Sequence, residues 1–148
     1  MKKIVIGVSG ASGIPIAEAV LKNLKKNPAY TSLLVMTEGA VRTLETESEY
    51  TAESFQALAD QVFDIKNIGA SIASGTFQTE GMIIVPCSMK TAAGIASGYS
   101  DNLLLRAADV TLKERRPLVL VAREAPFHSI HLRNLYELSQ AGAIILPP

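Results

Sequence analysis

Small and hydroxyl-bearing residues crowd one segment near the start of the chain, Gly7-Val8-Ser9-Gly10-Ala11-Ser12-Gly13. Backbone N–H groups in such a turn, at the start of a helix, can bind a phosphate, and Ser9 and Ser12 would add hydroxyl donors. A dinucleotide-binding loop carries the pattern G-x-G-x-x-G, but Ser9 stands at its second glycine position, which disfavours a pyrophosphate. The segment therefore predicts a site for a single phosphate, with a tight turn that binds nothing as the alternative.

A second polar segment, Ser88-Met89-Lys90-Thr91, enters another predicted helix. Its hydroxyls and N–H groups could form a second cradle for an anion. Cys87, directly before it, is the single cysteine of the chain, so an internal disulfide is excluded. Because no histidine lies nearby in sequence, we expect Cys87 to be a small buried hydrophobe rather than a nucleophile.

Charged residues at two places have the chemistry to bind an anion or to move a proton. Arg123 and Glu124 directly follow an apolar run, where catalytic groups gather in α/β proteins, and a surface ion pair is the alternative. Arg106, Asp109 and Lys113 share one face of a predicted helix. Arg106 and Lys113 are suited to hold an anion, although a solvated helix face would carry the same residues.

Three further residues keep other functions open. Glu38, after Thr37, lies where a ribose-binding acid would stand in a nicotinamide-dependent oxidoreductase, so that class remains an alternative. His128 and His131 are three positions apart, but no third ligand accompanies them. We therefore predict capping or packing for both histidines and no metal site.

The elements that must position these residues follow from alternating apolar runs and amphipathic stretches. The predicted strands are Lys3–Val8, Thr31–Thr37, Met82–Pro86, Pro117–Ala122 and Ala143–Leu146. The predicted helices begin near Pro15, Thr51, Ser88, Asp101 and Ser129, and the second of them runs through Val62. The strands are apolar almost throughout, which is typical of a parallel sheet covered on both faces. We expect a three-layer α/β fold, Rossmann-like or flavodoxin-like, with about five parallel strands and a loop with strand-like pieces over 67–80.

Composition limits the partners. The 148 residues carry 14 Lys+Arg and 14 Asp+Glu, and 48% are hydrophobic, so one domain over 1–148 with a buried core is expected. A net charge of zero disfavours nucleic acid and membrane surfaces as partners. No apolar run approaches the ~18 residues of a membrane helix, and the cysteine usage fits a reducing compartment. A cytoplasmic protein is expected.

Several segments together resemble a known family. They are 9–13 (SGASG), 73–75 (ASG), 86–91 (PCSMKT), 101–103 (DNL), 106–110 with 112–116 (RAADV and LKERR), and 123–126 (REAP). This set closely resembles the UbiX-type flavin prenyltransferases, a family that includes the small B subunits of hydroxyarylic acid decarboxylases. The related flavin-dependent cysteine decarboxylases carry a catalytic histidine and a Pro-Ala-Met-Asn motif, neither of which is present here.

The resemblance implies a reaction and its partners. Such enzymes transfer a dimethylallyl group from dimethylallyl monophosphate to reduced FMN, forming bonds at flavin N5 and C6. They are homo-oligomers, commonly dodecamers with FMN at subunit interfaces, and their product serves a UbiD-type decarboxylase. No metal is required.

The resemblance also implies roles for individual residues. Glu47 and Glu124 match the active-site glutamates of the family, and Ser12 would relay protons near the flavin. Lys113 and Arg123 match the contacts to the prenyl phosphate. The flavin contacts fall on Gly10, Ala11, Ser12, Thr37, Ser88, Met89, Lys90, Thr91 and Arg106.

One departure from the family concerns the end of the chain. Family members continue beyond the last strand with a tyrosine and an arginine that bind the prenyl phosphate, whereas this sequence ends at Leu146-Pro147-Pro148. The flavin part of the site is thus expected to be present and part of the phosphate site missing, which predicts FMN binding with poor transfer. The alternative function is an FMN-binding subunit or carrier of an aromatic acid decarboxylase system, without transferase activity.

Overall fold

Strands and helices alternate along the chain in the computed structural model, which describes residues 1–148. The strands are β1 (Lys2–Val8), β2 (Tyr30–Met36), β3 (Gln61–Phe63), β4 (Gly81–Cys87), β5 (Leu118–Ala122) and β6 (Ile144–Leu146). The helices are α1 (Ile14–Lys25), α2 (Glu38–Glu47), α3 (Ala52–Gln56), α4 (Met89–Ala96), α5 (Leu103–Lys113) and α6 (Ser129–Gln140), with a 3-10 turn at Ser71–Ala73. None of the helices is long and apolar enough to cross a membrane.

All strands pair in parallel in one six-stranded sheet with the order β3-β2-β1-β4-β5-β6. This is the doubly wound order of the Rossmann fold, in which the chain reverses its direction of winding between β1 and β4. Ile6 of β1 lies opposite Leu34 of β2 on one side and Ile83 of β4 on the other. The carboxyl ends of β1 and β4 therefore lie side by side, where ligands bind in such sheets. The predicted fold class is confirmed.

Two apolar layers enclose the sheet. One layer contains Ile14 and Leu21 of α1 with Phe55 of α3. The other contains Leu104 of α5 with Leu118 of β5. Each fully buried side chain of this size contributes about 1.5–3 kcal/mol relative to an exposed one. This double coverage explains why the strands are apolar throughout rather than alternating.

The sheet has six strands rather than about five, because the helix predicted from Thr51 through Val62 is wrong at its carboxyl end. Thr51 caps α3 as expected, but the helix ends at Gln56, and Val62 pairs with Leu34 in the edge strand β3. Asp60 fixes this turn, since its carboxylate accepts hydrogen bonds from the backbone N–H of Ser32 and from a lysine. Those partners come from elsewhere in the chain, so the local pattern did not reveal them.

Two other segments differ from expectation. No helix is predicted over 38–47, yet α2 forms there and buries Ala40 and Leu44. Its start is fixed by Thr37, whose Oγ1 accepts a hydrogen bond from the N–H of Ala40 at 3.0 Å. The segment 67–80 contains a 3-10 turn and no strand. Arg116 holds that segment by donating to the carbonyl oxygens of Gly75 and Phe77.

Candidate functional site

The loops after β1 and β4 meet at the carboxyl edge of the sheet, and Ser9 joins them. Its backbone N–H and its hydroxyl both donate to the carbonyl oxygen of Pro86, at 3.2 and 2.8 Å. The same hydroxyl oxygen accepts from the N–H of Ser88 at 2.8 Å. Because the hydroxyl proton is already bonded to Pro86, the expectation that Ser9 donates to a phosphate is wrong.

The turn between β1 and α1 is built from close backbone contacts. A Cβ on Gly10 would come within 2.9 Å of the backbone of Gly39, so only glycine allows this approach to the first turn of α2. Gly13 caps α1 with φ of 134°, a conformation that glycine tolerates, and no side chain caps this helix. Pro15 has no N–H, and the N–H groups of Ile16 and Ala17 donate to the carbonyl oxygen of Gly13, so the N–H groups of 12–14 are the ones that can receive an anion here.

The start of α4 forms the second half of this edge. Ser88 caps the helix, since its Oγ accepts from the N–H of Thr91 at 3.1 Å, and it donates to Thr91 Oγ1 at 3.0 Å. The hydroxyl proton of Thr91 is left as the free donor at the end of this chain of hydrogen bonds. Met89 is half-buried, whereas Lys90 is exposed and forms no ion pair with another residue of the chain.

A hydroxyl–carboxylate pair joins the first loop to α2. Ser12 Oγ donates to Glu47 Oε1 at 3.0 Å, although 35 positions separate the two residues. Thr37 lies at the other end of α2, where its oxygen is used as the cap and its proton remains available. The structure therefore brings Ser12 and Glu47 together and places Thr37 on the same edge.

Arg123 and Glu124 directly follow β5 on this edge. The N–H of Arg123 donates to the carbonyl oxygen of Cys87 at 3.1 Å, which continues the pairing of β4 and β5 past the strands. Both side chains are exposed, and Glu124 Oε1 accepts from the N–H of Ala125 at 3.0 Å. They form no ion pair with each other, so the surface ion pair considered from the sequence is absent.

Arg106 carries the clearest sign of a missing partner. It lies in the first turn of α5, the end of the helix that is nearer the carboxyl edge, and its Nε is buried without any hydrogen-bond partner. Leaving a buried donor unsatisfied costs about 1–3 kcal/mol, and more when the group is charged. An anionic or carbonyl-bearing ligand at this position would satisfy it, so the residues present fit an anion such as a flavin phosphate.

Lys113 lies away from the other predicted site residues. The first residue of α5, Leu103, donates to the carbonyl oxygen of Ile65 near the carboxyl end of β3, whereas the helix ends before Pro117, whose carbonyl accepts from Met82 at the amino end of β4. The two ends of α5 are about 15 Å apart at 1.5 Å per residue. Within one chain Lys113 is therefore on the opposite edge of the sheet, where its Nζ pairs with Glu114 at 3.1 Å.

Residues that the sequence left open have structural roles. Burial raises the pKa of the Cys87 thiol to about 12, so the thiol stays protonated. Cys87 is a small buried hydrophobe, as predicted, and not a nucleophile. His128 caps α6, accepting the N–H of Ile130 and of His131, and the two histidine rings stack at 3.5 Å. No group of three or more potential metal ligands is present. Glu38 is exposed beside a lysine, 3.9 Å from it.

Two features of the site were not found from the sequence. One is the bridging role of Ser9, and the other is Gly39, whose backbone packs against Gly10. A glycine in the first turn of a helix is unfavourable without a reason, so the tripeptide Thr37-Glu38-Gly39 contained a usable signal of close packing.

Comparison with known proteins agrees with this geometry. The Flavoprotein family model matches residues 1–148. A probable UbiX-like flavin prenyltransferase of Sedimentibacter hydroxybenzoicus is 51% identical over 146 residues, which are 99% of this chain and 77% of that protein. Flavin prenyltransferase LpdB of Lactiplantibacillus plantarum is 51% identical over 148 residues, all of this chain and 79% of that protein.

Two solved structures share the fold closely. AnUbiX (PadA1), in complex with FMN and dimethylallyl pyrophosphate, has a TM-score of 0.97 and 48% identity, covering 99% of this chain and 78% of that one. A dodecameric FMN-dependent UbiX-like decarboxylase from Escherichia coli O157:H7 has the same score and identity, covering 99% and 79%. With this identity over almost its whole length, the chain belongs to the UbiX-type flavin prenyltransferase family.

Proposed function

We propose that this chain, as a single flavoprotein domain over 1–148, transfers a dimethylallyl group from dimethylallyl monophosphate to reduced FMN. The observation that carries the proposal is the near-identity of its fold with that of a relative solved in complex with FMN and dimethylallyl pyrophosphate. The nicotinamide alternative lacks support, because Ser9 stands at the second glycine position of a dinucleotide-binding loop.

The flavin is held at the carboxyl edge around the β1–β4 junction. FMN carries a single phosphate, which suits the uncapped start of α1 at Gly10, Ala11 and Ser12 and the donors of Arg106. The remaining contacts come from residues that cap or begin the neighbouring helices: Thr37, Ser88, Met89, Lys90 and Thr91. When bound in its reduced form, the flavin ring supplies the nucleophilic atoms that accept the prenyl group.

The catalytic work of the chain is to hold a leaving phosphate and to move a proton. Arg123 and Lys113 bind the phosphate and stabilise its charge as the carbon–oxygen bond breaks and the phosphate leaves with the electron pair. Glu124, exposed and unpaired, accepts the proton that the flavin loses at C6. Ser12 relays protons near the flavin, and its hydrogen bond to Glu47 fixes its orientation.

A neighbouring copy of the chain completes the site. Since Lys113 lies on the opposite edge from Arg123 and Glu124, it can reach the prenyl phosphate only from another subunit. The proposed assembly is a homo-oligomer, by analogy with the dodecameric relative, with flavin at the subunit interfaces. The isolated chain then contains the flavin contacts but not the complete phosphate site.

The proposal includes a recipient and a location. The prenylated flavin would serve a UbiD-type decarboxylase, as the resemblance of the sequence to the family implies. We place the protein in the cytoplasm, which agrees with a single thiol that is buried and unpaired.

A second candidate function is an FMN-binding subunit or carrier without transferase activity. The position of Lys113 favours it, because a chain that does not assemble would bind flavin without holding the prenyl phosphate.

One anaerobic experiment separates these functions. The protein is incubated with reduced FMN and dimethylallyl monophosphate, and the flavin is analysed by mass spectrometry for one added five-carbon unit. A reaction without the prenyl donor and one with the Glu124→Gln protein are the controls. Product from the parent alone supports the transferase, bound FMN without product supports the carrier, and failure to bind FMN contradicts both.

A further inference from the structure

The side chain of Ser9 forms hydrogen bonds that connect the loop after β1 to the end of β4 and to the loop that follows it. Its side chain is 1% exposed, so it cannot touch a ligand directly. Its hydroxyl donates to the carbonyl oxygen of Pro86, the penultimate residue of β4, and accepts from the N–H of Ser88 in the loop that follows, 79 positions away in sequence. No other side chain bridges the loops after β1 and β4.

The hydrogen bonds continue from Ser9 towards the proposed ligand. Ser88, whose N–H is held by Ser9, donates its own hydroxyl proton to Thr91 Oγ1. The Thr91 oxygen accepts this hydrogen bond, and its own proton has no acceptor within the chain. Each bond in this series fixes the direction of the next, because a hydroxyl that donates to one neighbour cannot donate to another.

We propose that Ser9 is a positioning residue for FMN, which it aligns through Ser88 and Thr91 without contacting it. The inference rests on the proposed function only in the identity of the ligand, since the coupling of the two loops is a property of the chain itself. Loss of the Ser9 hydroxyl leaves the partly buried N–H of Ser88 without its acceptor and frees the start of α4 to shift relative to the β1–α1 turn.

Ser32 is a matched control from the other edge of the sheet. It is fully buried, and its hydroxyl oxygen accepts from the N–H of Asp60 at 3.0 Å, as that of Ser9 accepts from Ser88. Both hydroxyls thus tie a strand to a loop. Only Ser9 does so at the carboxyl edge. If Ser9 had a purely structural role, replacing either serine would change stability and FMN affinity in the same way.

The experiment compares Ser9→Ala, Ser9→Thr and Ser32→Ala with the parent protein. Affinity for FMN is measured by titration, unfolding by denaturant, and exchange of the Ser88 and Thr91 amide hydrogens by NMR without flavin. For Ser9→Ala we expect about tenfold or greater loss of FMN affinity, and faster exchange at both amides. Ser9→Thr, which keeps the hydroxyl, should recover most of the affinity, whereas Ser32→Ala should unfold more easily yet bind FMN like the parent.

Other results overturn the proposal. Parental FMN affinity in Ser9→Ala, or equal losses in Ser9→Ala and Ser32→Ala, would make Ser9 a structural residue only. If Ser9→Ala does not fold, Ser9→Cys replaces it, since a thiol is a much weaker donor and acceptor, and parental affinity in that variant has the same meaning. A parent that binds no FMN would contradict the proposed function, whereas unchanged amide exchange in Ser9→Ala would contradict the coupling alone.

Discussion

The two edges of the sheet differ in whether their charged side chains find partners within the chain. At the amino edge these groups are satisfied within the chain: Asp60 is bonded to Lys25 and Ser32, and Arg116 to two carbonyl oxygens. At the carboxyl edge Arg106 has a buried Nε without a partner, and neither Arg123 nor Glu124 forms an ion pair.

This difference separates groups that stabilise the fold from groups that are reserved for a ligand. A buried polar group that forms a hydrogen bond on folding stabilises the protein modestly. A buried polar group without a partner destabilises it, and the rest of the fold must offset that cost. Such a cost persists where something outside the chain satisfies the group. Two cations at the carboxyl edge without a partner in the chain, Arg106 and Arg123, are accordingly those that we assign to FMN and to the prenyl phosphate.

Lys113 is the exception, because a proposed phosphate ligand lies at the amino edge. Its side chain is 62% exposed, and its ion pair with Glu114 is open to solvent. Exposed pairs of this kind contribute about 0–1 kcal/mol, so Lys113 can exchange its partner for a phosphate at little cost. In the proposed assembly, the amino edge of one subunit would meet the carboxyl edge of another.

The strongest test of the carboxyl edge is Glu124→Gln. The substitution keeps the size of the side chain and removes the proton acceptor, so we expect prenyl transfer to slow by about 10²–10⁴-fold. FMN affinity should stay close to the parent value, as measured by titration alongside the rate of product formation. A loss of flavin binding would show instead that Glu124 acts as a flavin contact.

Mixing two inactive variants tests whether the edges of different subunits cooperate. Lys113→Ala should bind the prenyl donor weakly, and Glu124→Gln should be slow, so each alone is nearly inactive. Co-expressed in equal amounts, they form some sites with both residues intact, and about a quarter of the parental activity should return if subunits assort at random. An inactive mixture that still assembles would show that Lys113 serves its own chain or none.

The same substitution at two arginines contrasts the edges directly. Arg106→Met should lower FMN affinity by about 10–100-fold, the loss expected for a charged hydrogen bond, without lowering the stability of the free protein. Arg116→Met leaves two carbonyl oxygens without a donor and should lower the free energy of unfolding by about 1–3 kcal/mol. Denaturant unfolding and FMN titration of both proteins provide the measurement, and a destabilised Arg106→Met would place that residue with the structural group.

The smallest effect is expected from Asp60→Asn. Hydrogen bonds from Lys25 and from the N–H of Ser32 lower the pKa of Asp60 below its ordinary value. Its contribution to stability is therefore present above about pH 4 and is lost as the pH falls through the lowered pKa. At pH 7 the variant should be less stable by about 1 kcal/mol, and the difference should shrink in acid. Unfolding curves at several pH values test this, and a difference that grows in acid would contradict it.

The sequence by itself determined the elements and the family. Apolar runs such as Lys2–Val8 and the stripe of Ala17, Leu21 and Leu24 are local patterns, so β1 and α1 could be predicted directly. The start of α6 at Ser129, which agrees with the prediction, has the same origin. The cap at Thr51 was also correct, but where α3 ends depends on Asp60 reaching residues of β2 and α1, and that prediction failed.

Only the tertiary structure decided which polar groups form hydrogen bonds within the chain. A hydrogen bond requires two groups about 3 Å apart in a defined direction, and here the partners come from loops that follow different strands. Sequence spacing places Ser9, Ser12 and Ser88 near the ends of strands, yet it cannot show that Ser9 is bonded internally or that Ser12 meets Glu47. The two ends of α5 likewise lie at opposite edges of the sheet, which leaves Arg106 unpartnered near one and Lys113 at the other. The residues that could do chemistry were therefore readable from the chain, whereas packing alone fixed which of them remain available to a ligand.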